Sequence, residues 1–450
     1  MTEGKLLPKL FAFALPVLLS GVLKLAFNAA DLIVVGRFCG EDALAAVGSN
    51  TALVSLIVNV LMGMGTGASV LAARYYGARD EKQMRDTVET TVLVAGIGGI
   101  LFALLGVFVS GPLLKLMQTP AGVLPLAGLY LRIYFCGLPV MALYNFCAAI
   151  LRSVGDTQRP LYYMAIAGVL NVLLNVFFVV VVKIGVAGVA IATVASQCVS
   201  CFLVLRCLRK SDGIYRLRGG KLRFSVAQFR KLLIIGVPAG IQGSLFSISN
   251  VLVQSSINSF GAAVMAGNSA AGSIEAFGFV AQDSINQAAV ASVSQNMGGR
   301  EYGRTKQAVL YCSLLEIGFS VLLAGCFMIF RYPLLHIYTG DADAVEAGST
   351  RMLVLGAVYF LNGLQNMMTG AMRGHGFSIL PTGITLLGIC GFRVIWITTA
   401  FAATHSLIIL YLSYPISWVI TALAQYILYF SLRGRAFQRN EAQFAGEKGA

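Results

Sequence analysis

The chain alternates long apolar blocks with short polar gaps. Each block has about 20 residues or more, which is long enough to cross a hydrocarbon core as a helix. The apolar residues are continuous and do not alternate with polar ones, which favours helices over barrel strands. The pattern therefore predicts an all-α integral membrane fold with twelve transmembrane helices. Their predicted positions are 10–36, 47–73, 90–111, 123–149, 160–182, 186–208, 231–257, 268–294, 308–330, 347–371, 379–402 and 407–432.

Composition and charge agree with a membrane location. Only 12% of the 450 residues are charged, whereas a soluble globular chain carries roughly 25%. The net charge of +14 comes from basic residues that lie in the gaps and are dense in every second gap, as orientation signals are. This bias predicts a bacterial-type inner-membrane protein with both termini in the cytoplasm. It predicts no nucleic-acid partner, because no basic domain with interspersed aromatic residues is present.

A polar connector at 209–230 divides the chain into two similar halves. The halves are an N-terminal six-helix lobe at 1–208 and a C-terminal six-helix lobe at 231–432, followed by a cytoplasmic tail at 433–450 that we expect to be disordered. The motif at 152–155 recurs at 373–376, 221 residues later, and Asn145 meets Asn366 at the same offset. Because six helices return the chain to the same side, the lobes are predicted to be parallel repeats, with a transport cavity between them.

Polar residues within the predicted helices mark the candidate site. Asp31 lies in the outer half of the first helix, where a carboxylate can bind a proton or a sodium ion. Asn171 and Asn175 lie one turn apart on the fifth helix, and Thr193 lies on the sixth. Their neutral oxygens can complete a cation site around Asp31. The alternatives are a structural hydrogen bond for Asp31 and interhelical polar contacts for the other three.

Further residues are candidates for the cavity. Lys24 lies seven residues before Asp31 on the same helix face, where it can pair with Asp31, contact substrate or extend toward an interface. Asn28 lies between them, and the repeat-related pair Asn145 and Asn366 are also candidates to line a cavity.

Two other features have a functional and a structural interpretation. Glu275 and Asp283 lie two turns apart on the eighth helix and are either a second proton site or a structural polar cluster. Pro16 interrupts the hydrogen bonding of the first helix, so it is predicted to kink that helix, either as a hinge or as a static bend.

Motifs of enzymes and metal sites are absent from the sequence. There is no phosphate-binding loop, nucleophile elbow or HExxH motif. The three histidines are far apart, and the nine cysteines lack paired spacing, so we expect no metal site and no resident cofactor.

The motifs and their order resemble those of the multidrug and toxic compound extrusion (MATE) family over about residues 5–435. The segments that carry the resemblance are 16–37, 73–78, 151–160, 187–193, 294–298 and 365–374. The resemblance implies a two-lobe exporter that exchanges protons or sodium for small organic compounds, often cationic ones. In the DinF-like branch an aspartate on the first helix couples transport, with polar partners on helices five and six, and Asp31, Asn171, Asn175 and Thr193 fall at those positions.

This sequence departs from the family pattern at two positions. Asn175 stands where related proteins often have Asp, and Lys24 stands where Gln is usual. One carboxylate fewer and one ammonium more favour proton coupling over sodium coupling and weigh against a cationic substrate.

The leading hypothesis is a proton-coupled, alternatively sodium-coupled, antiporter with Asp31 as the coupling carboxylate. We expect a monomer whose partners are a small organic substrate and membrane lipid. The alternatives are a flippase for a lipid-linked oligosaccharide and a metabolite exporter of narrow specificity.

Overall fold

The computed structural model of the protein describes residues 1–448 apart from residues 118, 121, 219 and 221. All of the regular structure in these residues is helical. The α-helices, in chain order, are α1 Leu6–Phe38, α2 Glu41–Ala78, α3 Glu81–Leu116, α4 Leu124–Cys136, α5 Leu138–Ser153, α6 Gln158–Val176, α7 Val186–Lys210, α8 Val226–Asn258, α9 Ala262–Gly298, α10 Tyr302–Ile329, α11 Arg331–His336, α12 Ala342–Gly356, α13 Tyr359–Gly374, α14 Ile379–Thr385, α15 Phe392–Trp396, α16 Ala402–Thr404 and α17 Leu407–Lys448.

Long helical segments occupy all twelve predicted positions. Nine segments of the described chain are each long and apolar enough to cross a membrane, and two bent helix pairs raise the number to eleven. The twelfth is α9, which has 37 residues but a more polar sequence that includes Asn268, Glu275, Gln282 and Asp283. The predicted all-α fold with twelve long helices is therefore confirmed.

Two predicted helices are bent pairs. Segment 123–149 consists of α4 and α5, which meet at 47°, and segment 347–371 consists of α12 and α13, which meet at 54°. The first bend has a clear cause: Pro139 lies in the first turn of α5, where it lacks an N–H to donate to α4. The bend at Gly137 and the bend at Val358 lie 221 residues apart, which is the spacing of the sequence repeat.

The same repeat fixes how two long helices end. Arg79 follows α2 in the left-handed conformation with φ 54°, and Arg300 follows α9 with φ 60°. Asp80 then caps α3, since its side chain accepts a hydrogen bond of 3.0 Å from the Gln83 N–H. A non-glycine residue seldom adopts this conformation, so its recurrence at the same repeat position indicates a shared turn.

Packing divides the chain into two compact units. Unit 1 contains Met1–Leu18 and Gln242–Ala450, and unit 2 contains Leu19–Ile241. The division falls inside α1 and α8, so each unit includes the first part of one helix from the other half of the sequence. The predicted lobes at 1–208 and 231–432 describe the sequence repeat, and that division stays a prediction. Two connector residues, 219 and 221, lie outside the described residues.

Glycines allow α2 and the first part of α8 to pack closely within unit 2. A Cβ atom on Gly63 would lie 2.1 Å from the backbone nitrogen of Gly240, and one on Gly236 would lie 2.7 Å from Cα of Met64. Gly236 and Gly240 lie one turn apart on one face of α8. Small residues at this spacing let membrane helices approach backbone to backbone.

The expectation of a disordered tail was wrong for residues 433–440. Helix α17 continues through this segment and packs against other helices of unit 1. The Phe437 ring stacks on Tyr302 with 4.6 Å between centroids, and Asn440 Nδ2 donates to the Met297 carbonyl at 2.8 Å. The aromatic stacking and the hydrogen bond from Asn440 order the segment. The last two residues, 449 and 450, lie outside the described part.

Candidate functional site

A cavity of about 180 Å³ lies inside unit 2. Helices α1, α2, α4, α5, α6 and α7 supply its walls. The polar lining residues are Lys24, Asn28, Asp31, Tyr130, Tyr134, Tyr144, Asn145, Asn171, Thr193, Ser196, Gln197 and Ser200. Six of the residues predicted from sequence are therefore brought together around one space: Lys24, Asn28, Asp31, Asn145, Asn171 and Thr193.

A chain of hydrogen bonds links the predicted coupling residues on three helices. Asn175 Nδ2 donates to Asp31 Oδ1 and also lies 3.3 Å from Asn171 Oδ1.

Asn171 Nδ2 in turn donates to Thr193 Oγ1 at 3.4 Å, and the Thr193 hydroxyl donates to the Val189 carbonyl at 3.0 Å. Asp31 is thus the α1 end of a polar chain that crosses α6 and ends on α7.

Helix geometry explains why these side chains meet. Asn171 and Asn175 lie four residues apart, so both project from one face of α6. Their helix continues into a π-helical turn at Phe177–Val181, and such turns are frequent at functional sites. At the other end, Gly168 lets α1 approach closely, because a Cβ there would lie 1.7 Å from Cε2 of Phe27. This close approach places the outer part of α1 against the asparagine face of α6.

The side chains of Asp31 and Asn175 differ in how deeply they are buried. Asn175 is completely buried, whereas Asp31 is half-buried and faces the cavity. An ionisable group in this position can exchange a proton or an ion with the cavity while one carboxylate oxygen stays bonded to the protein.

The Asn175 side chain can serve both charge states of Asp31. An amide has N–H donors for a carboxylate and an oxygen that accepts from a carboxylic acid. Asn175 Oδ1 is buried and has no hydrogen-bond partner in the described structure, so that acceptor is available. A half-turn rotation of the amide would present Oδ1 to Asp31 in place of Nδ2 and so exchange the two roles.

Lys24 and Asp31 are the two charged residues among those described around the cavity. Lys24 is exposed to this space.

Tyr130 and Tyr134 form part of the cavity wall and stack on each other, with 6.1 Å between ring centroids and 21° between planes. Sequence reasoning missed these tyrosines, since aromatic residues are common throughout the chain. Asn145 also lines the cavity, and its Nδ2 donates to the Met141 carbonyl at 2.8 Å.

Three other predicted residues lie in unit 1 and do not reach this cavity. Glu275 forms a two-point ion pair with Arg351, at 3.0 and 2.6 Å. Asp283 is exposed on α9 and accepts from Gln287 Nε2 at 2.7 Å. Asn366 is partly buried on α13. For Glu275 this arrangement favours the structural alternative over a proton site.

Sequence reasoning missed Glu316, a completely buried carboxyl on α10. The sequence did contain a signal for it, because Glu316 interrupts the apolar block predicted at 308–330, where an ionisable side chain is costly.

Arg393 is also buried, and its guanidinium lies 4.0 Å from the centroid of the Tyr414 ring. That contact is a cation–π interaction.

Pro16 lies within α1, which continues from Leu6 to Phe38. It precedes by three residues the point where α1 passes from unit 1 to unit 2. Its role as a hinge stays a prediction. Among the residues that the structure describes, no group of three or more His, Cys, Asp or Glu side chains is arranged to hold a metal ion.

Comparison with known proteins gives a consistent family. The MatE family model matches the chain twice, at residues 16–177 and 238–401, one match in each half of the sequence repeat. The chain is 28% identical over 430 residues to the probable multidrug resistance protein YoeA of Bacillus subtilis, which covers 93% of this chain and 92% of that protein. It is 24% identical over 427 residues to a FAD transporter of Shewanella oneidensis, with 93% of each chain covered.

The fold is also similar to that of a solved multidrug resistance MATE family transporter of the MOP superfamily, described in an outward-facing conformation. The TM-score is 0.90 at 21% identity, with 97% of this chain and 98% of that chain covered.

Proposed function

Because this chain belongs to the MatE family, and is therefore a multi-pass membrane transporter and not an enzyme, we propose that it exports small organic compounds by alternating access. Influx of protons, or alternatively of sodium ions, drives the export. Asp31 is the coupling carboxylate in this proposal, and Asn171, Asn175 and Thr193 hold it in place. Assignment to the DinF-like branch stays a prediction.

The position of Asp31 carries the proposal. Its carboxylate faces the cavity of unit 2 and is bonded to the buried amide of Asn175. A charged Asp31 favours water and N–H donors around it, whereas a neutral Asp31 tolerates a drier contact with α6. Because the two charge states differ in which arrangement of α1 they stabilise, binding and release of the ion can shift the conformational equilibrium.

The chemistry of position 175 favours protons over sodium. An amide can accept from a protonated Asp31 and donate to an ionised one, so it serves both states of a proton cycle. A sodium site gains from additional negative oxygens, and this cavity offers the positive charge of Lys24 instead.

The remaining parts of the proposal follow from charge and composition. The excess of Lys and Arg in alternate gaps supports an inner-membrane location with both termini in the cytoplasm. We propose that the protein works as a monomer in the lipid bilayer, with a proton or sodium ion as its coupling ion and without a resident cofactor.

Dye export from everted membrane vesicles tests the proposal. Vesicles that contain the wild type are energised with a pH gradient or a sodium gradient separately, and ethidium transport is followed by fluorescence. We expect the pH gradient to drive transport in the wild type and not in Asp31→Asn. Asp42→Asn, at an exposed position near the start of α2, is the matched control and should behave as wild type.

Each other outcome has a defined meaning. Gradient-driven export that survives in Asp31→Asn would show that another residue couples transport. Transport driven only by sodium would replace the proton in the proposal. A wild type that exports none of a panel of cationic dyes would contradict broad multidrug export.

A second candidate function is a narrow-specificity exporter of anionic or zwitterionic compounds. Lys24 places a positive charge on the cavity wall, and a relative in Shewanella oneidensis is named a FAD transporter. Uptake of anionic dyes by the same vesicles, when cationic dyes are not transported, would favour this function. A lipid-linked oligosaccharide flippase has less support, because Lys24 is the single cation among the described cavity-lining residues.

A further inference from the structure

Glu316 on α10 is buried in an unusual environment. Its exposed fraction is 0%. One carboxyl oxygen, Oε1, accepts from the Ser320 hydroxyl at 2.9 Å, and the other, Oε2, has no hydrogen-bond partner in the described structure. Gly363 on α13 lies against the carboxyl group, because a Cβ at that position would be 1.8 Å from Oε1. The carboxyl group is therefore enclosed between α10 and α13.

The surroundings of Glu316 differ from those of Glu275, another buried glutamate of unit 1. Glu275 is 4% exposed, and Arg351 neutralises it through two hydrogen bonds. No described Lys, Arg or His forms an ion pair with Glu316. An ionised carboxylate buried without a cation is so costly that the group neutralises instead. A permanent ion pair accounts for the burial of the Glu275 carboxylate. It does not account for the burial of Glu316.

A polar network leads away from the Glu316 carboxyl. The Ser320 hydroxyl accepts from Gln282 Nε2 at 3.2 Å, and Gln282 Oε1 accepts from Asn362 Nδ2 at 2.7 Å. Asn362 Oδ1 accepts from Gln365 Nε2 at 3.3 Å. Such a row of amides and a hydroxyl orients the Glu316 carboxyl and can hold water beside it, and an apolar packing role for Glu316 would not require it.

The titratable groups that face Glu316 lie on its own helix and on three other helices. They are Asp283 on α9, Cys312 on α10 itself, Tyr359 on α13 and Tyr426 on α17. None of them is a cation at neutral pH. Asp283 is exposed and adjoins Gln282 in sequence, so it marks the side from which water can approach.

We propose that Glu316 is a second proton-carrying residue of the transport cycle, located in unit 1 and separate from Asp31. When it is buried as described here, it holds its proton. When water enters from the Asp283 side, the O–H bond of the carboxylic acid breaks, the proton passes to a water molecule, and the carboxylate stays behind. The inference rests on the proposed export function, and it adds a second proton to each cycle.

Substrate-induced proton release from purified protein tests this role. A pH-indicator dye in weakly buffered detergent solution reports the protons released when ethidium, or an anionic dye if that is the substrate, is added. We expect Glu316→Gln to lower the release to about half of the wild-type value, since two carboxyls share it. Asp31→Asn should lower it similarly, and the double variant should release none.

The controls distinguish this inference from the proposed function. Glu346→Gln changes an exposed glutamate of the same unit and should release as many protons as wild type. Unchanged release from Glu316→Gln would overturn the inference and leave the role of Asp31 intact. Unchanged release from Asp31→Asn, with reduced release from Glu316→Gln, would overturn the role of Asp31 alone. A wild type that binds substrate without releasing protons would overturn both.

A measurement on the wild type covers the case in which Glu316→Gln does not fold. Dicyclohexylcarbodiimide reacts with protonated carboxyls in apolar surroundings, and mass spectrometry locates the adduct. We expect an adduct on Glu316, and none on the ion-paired Glu275, that decreases at higher pH and in the presence of substrate. An adduct on Glu316 that responds to neither change, or no adduct there, would count against the inference.

Discussion

The buried amide of Asn175 donates a hydrogen bond to the carboxylate of Asp31 on a neighbouring helix. The same amide nitrogen lies 3.3 Å from Asn171 Oδ1, so one side chain connects the charged residue on α1 to the polar face of α6. We therefore expect the identity of residue 175 to influence which coupling ion the proposed site accepts.

Asn175→Asp is expected to change the ion preference of the transporter. The substitution places a second carboxylate beside Asp31, and two carboxylates this close must share a proton or bind a cation between them. We expect sodium gradients to drive dye transport in this variant and to have little effect in the wild type. Asn145→Asp, at a cavity-lining position on α5, is the comparison. Equal sodium dependence of wild type and Asn175→Asp would contradict the prediction.

Lys24→Gln is expected to change the charge preference for substrates. Removing the ammonium leaves Asp31 as the charged residue of the described cavity wall. The apparent affinity for cationic dyes should rise by about fivefold, since one charge pair in a hydrated cavity contributes about 1 kcal/mol. Affinity for anionic dyes should fall by a similar factor. Lys115→Gln, at an exposed position at the end of α3, should change neither, and a parallel change in both variants would argue against a local effect of Lys24.

Gly168→Ala is expected to damage the site by moving α1 away from α6. The added Cβ would lie 1.7 Å from the Phe27 ring, and such overpacking costs about 1 to 3 kcal/mol. Thermal unfolding in detergent should show a lower midpoint, and gradient-driven transport should decrease. Phe27→Ala in the same chain should restore much of the stability, because it removes the clash. Gly98→Ala, where a Cβ meets no atom within 4 Å, should be neutral, and an equal loss in both variants would exclude the clash as the cause.

The positions of the helices, and the polar residues that share one helix face, could be predicted from the sequence because both depend on local spacing. Block lengths of about 20 apolar residues locate all twelve helical segments. The heptad spacing of Lys24 and Asp31, and the four-residue spacing of Asn171 and Asn175, place each pair on one helix face. The grouping of Asn171, Asn175 and Thr193 around Asp31 was a hypothesis from their polar character, which the family resemblance also implied. The structure brings these side chains together, and their role in ion coupling stays a prediction.

Contacts between residues distant in sequence could not be predicted in this way. Glu275 and Asp283 stand out in the sequence, yet the partner of Glu275 is Arg351 on a helix 76 residues further on. Glu316 also stands out within its apolar block, but the absence of a described cation beside it depends on which helices surround it. The end of α17 is held by the stacking of Phe437 on Tyr302. This long-range contact likewise could not be predicted from the polar composition of the tail.

Glu275 and Glu316, which are both buried in unit 1, are expected to differ in their effect on stability. Glu275→Gln leaves Arg351 buried beside a neutral amide, and breaking a buried ion pair from one side costs about 3 to 5 kcal/mol. Glu316→Gln replaces an unpaired carboxyl with a neutral group of the same shape, so its cost should be below about 1 kcal/mol. Thermal unfolding of purified protein in detergent, followed by intrinsic fluorescence, should therefore show a large loss for Glu275→Gln and a small one for Glu316→Gln.

Removing both members of the ion pair sharpens this comparison. In Glu275→Gln with Arg351→Met no buried charge remains without a partner, so the double variant should be more stable than Glu275→Gln alone. The same reasoning predicts no such recovery when Arg351→Met is combined with Glu316→Gln, because those two residues form no pair. Equal losses from Glu275→Gln and Glu316→Gln would mean that Glu316 is ionised and stabilised by its surroundings, and that it does not hold a proton when buried.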